Sequence, residues 1–188
     1  VLKKEEGYWF SPFAKRSALK RILNDIPKNF PVMIDLELPT TQNSKLYLTQ
    51  FHNFPRNRSL ITKFIKNHSR VYTAEYFPVK STLKFLCLNY NPIKYKTRLI
   101  KMFYTSMWPF PRNFLDEKIK DYKERFGGSF IPAFGAITTG ISGTESILSP
   151  EKLKADLKIA KKNNIKEVII FRLGGLNKNY LQVISEFI

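Results

Sequence analysis

Residues 31–38 read PVMIDLEL, an apolar run that begins at a proline and is followed by another, Pro39. A short run of this composition, bounded by prolines, predicts a buried β-strand. Its two acids, Asp35 and Glu37, are two positions apart, so both side chains project to one face of the strand. The segment therefore predicts a core strand with a pair of carboxyl groups near its end.

Other apolar runs follow at intervals, and amphipathic stretches separate them. Their composition predicts further strands at 70–77, 98–107, 129–138 and 166–173, and 8–10 favours the tail of an earlier strand. Apolar residues at helical spacing and helix-end signals predict helices at 13–26, 59–67, 112–126, 149–162 and 177–187. The segment 80–88 is compatible with a short helix or a sixth strand.

Strands that alternate with helices favour parallel pairing, with the helices packed on the sheet. The order predicts an α/β fold of parallel β/α units, arranged as a partial or incomplete TIM barrel or as an open doubly wound sheet. We favour the barrel-like arrangement, because the strands end in polar residues as in barrel enzymes. We expect one domain over residues 1–188, equivalent to the last five or six β/α units of a barrel, since eight strands typically need about 250 residues. Uncovered strand edges would favour a homo-oligomer.

Composition narrows the classes of function. The net charge is +17, and residues 45–115 hold thirteen basic residues and one acidic residue, a field that attracts anionic ligands. One cysteine and two histidines argue against a disulfide and a zinc cluster, and we expect neither metal nor cofactor. No apolar run is long enough for a membrane helix. The first residues lack the pattern of a secretory signal, so we expect a cytoplasmic protein.

The paired acids are the first candidates for chemistry. Asp35 and Glu37 would raise each other's pKa in an apolar setting, and a general acid needs a carboxyl group that stays protonated. Glu75, near the end of the second strand, offers a further carboxylate for substrate binding, and Tyr104 and Trp108 after the third offer a hydroxyl group and a ring for a sugar. Ion pairs with basic neighbours and core packing are the structural alternatives for these residues.

MIDLELP, followed two strands later by KMFYTSMW, resembles the catalytic half of the family-18 glycoside hydrolases, the chitinase-like TIM barrels, or an uncharacterised barrel family related to them. In that family the Glu of an Asp-x-Glu strand end donates the proton, and the Asp orients the acetamido group of the substrate. The resemblance implies Glu37 as the acid, Asp35 as its partner and Tyr104 as a carbohydrate ligand. Upstream of Asp35, however, Met33 stands where the family has a further acid.

Two loops that contain glycine suggest a different class of protein. Gly140 and Gly143 follow the fourth predicted strand, and Gly174 and Gly175 follow the fifth. In barrels the last two such loops often bind phosphate through backbone amides. With Arg172 nearby, they predict, as an alternative, a barrel protein that binds a phosphorylated small molecule.

The basic middle of the chain suggests a third class, a non-enzymatic protein that binds nucleic acid or another polyanion. The candidate contacts are Lys63, Lys66, Arg70, Lys94, Lys96 and Lys101. Sequence alone leaves the choice between an enzyme and these two kinds of binding protein open.

Overall fold

The computed structural model describes residues 2–39, 43–76, 81–107, 110–139, 143 and 145–188. Helices and strands alternate along the described chain. In order they are α1 (Arg16–Asp25), β1 (Val32–Leu36), α2 (Lys45–Thr49), α3 (Phe54–Asn67), β2 (Val71–Tyr76), α4 (Ser81–Phe85), α5 (Pro92–Tyr95), β3 (Arg98–Met102), α6 (Arg112–Phe126), β4 (Phe130–Gly135), α7 (Pro150–Lys162), β5 (Ile169–Phe171) and α8 (Lys178–Ser185). Short 3-10 turns stand at Lys4–Glu6, Phe51–Asn53, Gly127–Ser129 and Leu173–Gly175.

The strands form one sheet in the order β1-β2-β3-β4-β5. β1 is parallel to β2, and β4 is parallel to β5. Within the described residues the strand order follows the chain with no reversal, whereas an open doubly wound sheet contains one. The predicted α/β class, with parallel β/α units of a partial, barrel-like kind, is confirmed.

The chain divides into two compact units, Val1–Leu99 and Ile100–Ile188. The core of the first unit is the packing of β1 against two helices. Ile34 of β1, Leu19 of α1 and Ile61 of α3 belong to one cluster and are completely buried. Their spacing explains the arrangement, because apolar residues at helical intervals give α1 and α3 one apolar side each.

The core of the second unit is aromatic. The ring of Phe130 in β4 stacks on Tyr122 of α6 at 5.2 Å between centroids, and it meets Phe103 edge to face at 6.4 Å. All six residues of β4 are buried. A strand without an exposed side chain is typical of a parallel sheet covered by helices.

The helix predictions with the strongest end signals are confirmed. α6 spans 112–126 as predicted, and Gly127 follows it. The hydroxyl oxygen of Ser149 accepts a hydrogen bond from the backbone amide of Lys152 at 3.3 Å, so the predicted cap of α7 forms. The ambiguous segment 80–88 contains the helix α4. No described helix has both the length and the apolar character needed to cross a bilayer.

Several strand predictions were wrong in their bounds, and one predicted strand is absent. β4 ends at Gly135 rather than at 138, and β5 covers only Ile169–Phe171 of the predicted 166–173. β3 ends at Met102 rather than at 107, because the chain turns back on itself there: the amide of Thr105 donates to the carbonyl of Phe103 at 2.8 Å. Residues 8–10 form no strand, since Tyr8 takes a left-handed conformation with φ of 56°.

Gly135, the last residue of β4, is expected to tolerate no side chain. A Cβ atom there would lie 2.6 Å from the carbonyl oxygen of Phe171 in β5. Gly135→Ala should therefore lower the free energy of unfolding by about 1–3 kcal/mol, measured by urea denaturation. Gly128→Ala is the control, because a Cβ there meets nothing within 4 Å. Equal stability of the two variants would contradict the close approach of β4 and β5.

Candidate functional site

The register of the β1–β2 pair sorts the side chains of both strands onto two faces. Asp35 is paired with Ala74, and Leu36 is paired with Glu75. Side chains alternate along a strand, so Glu37, directly after β1, follows the side of Asp35. Leu36 belongs to the core beneath the helices. Asp35 and Glu37 therefore lie on the face of the sheet that points away from α1 and α3.

Burial disfavours the ionised form of both acids. Asp35 is half-buried, and Glu37 is only 6% exposed. Burial raises the pKa of Asp35 to about 6. The pKa of Glu37 is raised to about 8, first by burial and then by the negative charge of Asp35. A hydrogen bond with Tyr76 lowers the pKa of Glu37 by a smaller amount. Near pH 7 the pair therefore holds about one proton, so that one of the two carboxyl groups is in the protonated state that a general acid needs.

Asp35 has an oxygen that is free to accept a hydrogen bond. Among the described residues, none donates a hydrogen bond to its buried Oδ1 atom. An unsatisfied buried carboxylate oxygen is costly, and a ligand with an N–H or O–H group would satisfy it. The backbone at this point is held in place, because the carbonyl of Asp35 accepts from the amide of Phe10 at 3.0 Å. The site thus combines a fixed backbone with a buried carboxylate oxygen that no described residue satisfies.

Tyr76 is the member of this site that the sequence analysis missed. It ends β2 and, by alternation from Ala74, lies on the same face as Asp35 and Glu37. Its hydrogen bond with the Glu37 side chain stabilises the ionised carboxylate and so lowers the pKa of Glu37. The signal that would have found it is the position of the tyrosine at the end of the strand next to β1.

Glu75 is not part of this constellation. It pairs with Leu36, on the helix-covered face, and is completely buried. Its carboxylate accepts a hydrogen bond from the Asn89 amide at 2.5 Å and another from the backbone amide of Tyr90 at 2.7 Å. The structure therefore separates Glu75 from the Asp35–Glu37 pair, and its carboxylate holds the chain that leads into α5.

The other predicted ligands belong to the second unit. Tyr104 is half-buried, and its ring stacks on Phe171 at 5.7 Å between centroids. Nearby, the Ser106 hydroxyl donates to the carbonyl of Gly135 at 2.7 Å and accepts from the amide of Ala136 at the same distance. Ser106 thereby fixes the backbone at the end of β4.

Two of the predicted site residues, Trp108 and Gly140, lie outside the described residues. The other predicted glycines are described. Gly143 is exposed and has φ of 73°, a turn conformation that favours glycine. At Gly175 a Cβ atom would run into the carbonyl of Ile137. Close backbone packing thus accounts for one of the predicted phosphate-binding glycines.

Arg172 and Gly174 occupy the loop after β5. Both are exposed. The Arg172 guanidinium donates to the carbonyl of Thr139 at 2.9 Å and lies 6.0 Å from the centroid of the Phe171 ring. Arg172 therefore links the loop after β5 to the loop after β4.

Comparison of the chain with protein-family models, with curated proteins and with solved structures finds no match. Among the residues that the structure describes, no group of three histidine, cysteine or acidic side chains could hold a metal ion.

The raised pKa values make the stability of the fold depend on pH. The folded chain binds protons at Asp35 and Glu37 more tightly than the unfolded chain, so stability should fall as pH rises from about 5 to about 8. In Glu37→Gln this loss, measured by urea denaturation at each pH, should shrink by at least about 1 kcal/mol. The exposed Glu5→Gln is the control and should behave like the wild type. A loss of the same size in Glu37→Gln would show that Glu37 does not titrate in this range.

Proposed function

We propose that the chain is a glycoside-hydrolase-like protein in which Glu37 is the general acid and base and Asp35 orients or stabilises the substrate. The observation that carries this proposal is the pair of buried carboxyl groups whose pKa values are raised to about 6 and about 8 on the face away from the helices. Neighbouring carboxyl groups with separated pKa values can divide the roles of acid and base between them.

The protonated Glu37 would start the reaction. Its proton passes to the glycosidic oxygen as the bond between that oxygen and the anomeric carbon breaks, and the leaving sugar departs as an alcohol. The Glu37 carboxylate that remains then takes a proton from an incoming water as the oxygen of that water bonds to the anomeric carbon, which completes the hydrolysis and restores the acid. Both steps need a carboxyl group with a pKa close to the working pH, and Glu37 meets this requirement.

The unsatisfied Oδ1 of Asp35 suggests how the substrate is oriented. An acetamido N–H group would satisfy this oxygen and turn the acetamido oxygen toward the anomeric carbon. Substrate-assisted glycosidases use that oxygen as the nucleophile. The Asp-x-Glu resemblance to family-18 glycoside hydrolases supports the same assignment, and we therefore propose an N-acetylated sugar as the substrate.

Glu37→Gln keeps the size of the side chain and removes its acid. With a fluorogenic N-acetylglucosaminide, kcat should fall by about 100-fold to 10,000-fold, while the thermal unfolding temperature stays the same or rises. Glu117→Gln, a change at an exposed acid, should leave kcat unchanged. Unchanged turnover in Glu37→Gln, or a wild type without turnover on N-acetylated and neutral aryl glycosides, would contradict the proposal.

Tyr76→Phe distinguishes a role in proton transfer from a structural role of Glu37. Removal of the hydrogen bond raises the pKa of Glu37 further, because that bond stabilises the ionised form. Since the acid must be protonated to react, the basic limb of the kcat/KM profile should move to higher pH. A limb that stays in place would mean that Glu37 does not supply the proton.

A further inference from the structure

A basic groove runs along α3 in the first unit, between this helix and the segment 84–95. Its volume is about 960 Å³. Its cationic residues are all exposed; they are Arg58, Lys63, Lys66, Lys84 and Lys94. Among the described residues that line the groove none is acidic, and the nearby carboxylate of Glu75 is completely buried. The groove therefore presents positive charge along most of the helix.

Aromatic rings lie among these cations. Phe85 is 58% exposed, and its ring stacks on Phe54 at 5.4 Å between centroids. The Arg58 guanidinium lies 5.3 Å from the centre of the Phe85 ring. At the other end, the ammonium groups of Lys66 and Lys94 lie 5.9 Å and 5.7 Å from the Tyr95 ring. Rings and cations thus alternate along the groove.

Several polar side chains in the groove already bond to the protein. The Thr62 hydroxyl lies 3.1 Å from the Tyr90 hydroxyl, and Asn89 donates to Glu75. Asn91 caps α5 by accepting from two backbone amides at 3.0 Å. A site for a small metabolite needs a few polar groups that point at the ligand. This groove offers mainly ring faces and exposed cations, which suit a polymer.

We propose that the groove binds single-stranded nucleic acid, with phosphates at the cations and a base stacked on Phe85. Proteins that bind single strands combine a positive groove with exposed aromatic rings in this way. Three of the lysines that the sequence suggested, Lys63, Lys66 and Lys94, line the groove. Lys101 does not contribute, because it is completely buried. The groove and the Asp35–Glu37 pair lie on opposite faces of the sheet, so this proposal is independent of the hydrolase proposal.

The charge contribution is tested with a fluorescein-labelled thymidine oligonucleotide of about 15 nucleotides, whose binding is followed by fluorescence anisotropy between about 50 and 200 mM NaCl. Each phosphate contact on a single strand contributes about −0.7 to the slope of the logarithm of the binding constant against the logarithm of the salt concentration. Five contacts therefore predict a slope near −3.5. The triple variant Lys63→Ala, Lys66→Ala, Lys94→Ala should bind more weakly, with a slope smaller by about 2. Its control removes the same charge from the second unit, with Lys158→Ala, Lys166→Ala, Lys178→Ala, and should keep the slope.

The stacking contribution is tested with Phe85→Leu, which should weaken binding by at least about fivefold. Phe51→Leu, which changes an exposed ring outside the groove, should bind like the wild type. Binding that Phe85→Leu leaves unchanged would indicate a general polyanion surface and would overturn the proposal.

Three further results would also overturn the proposal. The first is no binding at about 50 mM NaCl, and the second is equal weakening in the control triple variant. The third is a duplex of the same length that binds as tightly as the single strand. Circular dichroism checks that each variant is folded. If Phe85→Leu does not fold, the lysine variants still test the proposal.

Discussion

A parallel register that pairs Asp35 with Ala74 and Leu36 with Glu75 decides which acids of the first unit lie on the same face of the sheet. Because side chains alternate along both strands, this register gives Asp35, Glu37 and Tyr76 one face of the sheet and gives Glu75 the other. A shift by one residue would bring the acids into the helix-packed core and turn its apolar residues outward. The apolar packing of β1 on α1 and α3 therefore holds the acid pair in place.

The carboxyl groups on the two faces have different surroundings. Glu75 is completely buried, and its carboxylate accepts hydrogen bonds from the Asn89 side chain and from the backbone amide of Tyr90. Glu37 has a hydrogen bond with Tyr76, but burial and the charge of Asp35 outweigh it and favour the protonated form. A carboxyl group that stays protonated near neutral pH can donate its proton, and the proposed role of Glu37 depends on this property.

Sequence reasoning recovered the features that depend on local pattern. α6 and the Ser149 cap of α7 follow from helical spacing and from a side-chain oxygen ahead of a proline, and both are present. The end of β3 at Met102 was missed, because backbone turns there interrupt an apolar run that continues in sequence. The separation of Glu75 from Glu37 depends on which residues of the two strands are paired. The sequence of neither strand determines this pairing by itself. For the same reason the sequence alone does not place Tyr76 beside Glu37, although this tyrosine lies near the end of the predicted strand 70–77.

The protonation of Glu37 near neutral pH is the claim on which the enzymatic account depends. It is measured most directly by nuclear magnetic resonance, from the pH titration of the side-chain carboxyl carbon of Glu37 in the folded protein. We expect the chemical shift of this carbon to change with a midpoint near pH 8. A second, smaller change near pH 6 should report the titration of Asp35. A midpoint at the ordinary glutamate value of 4.5 would contradict the account, because the group would then be an ionised carboxylate at neutral pH.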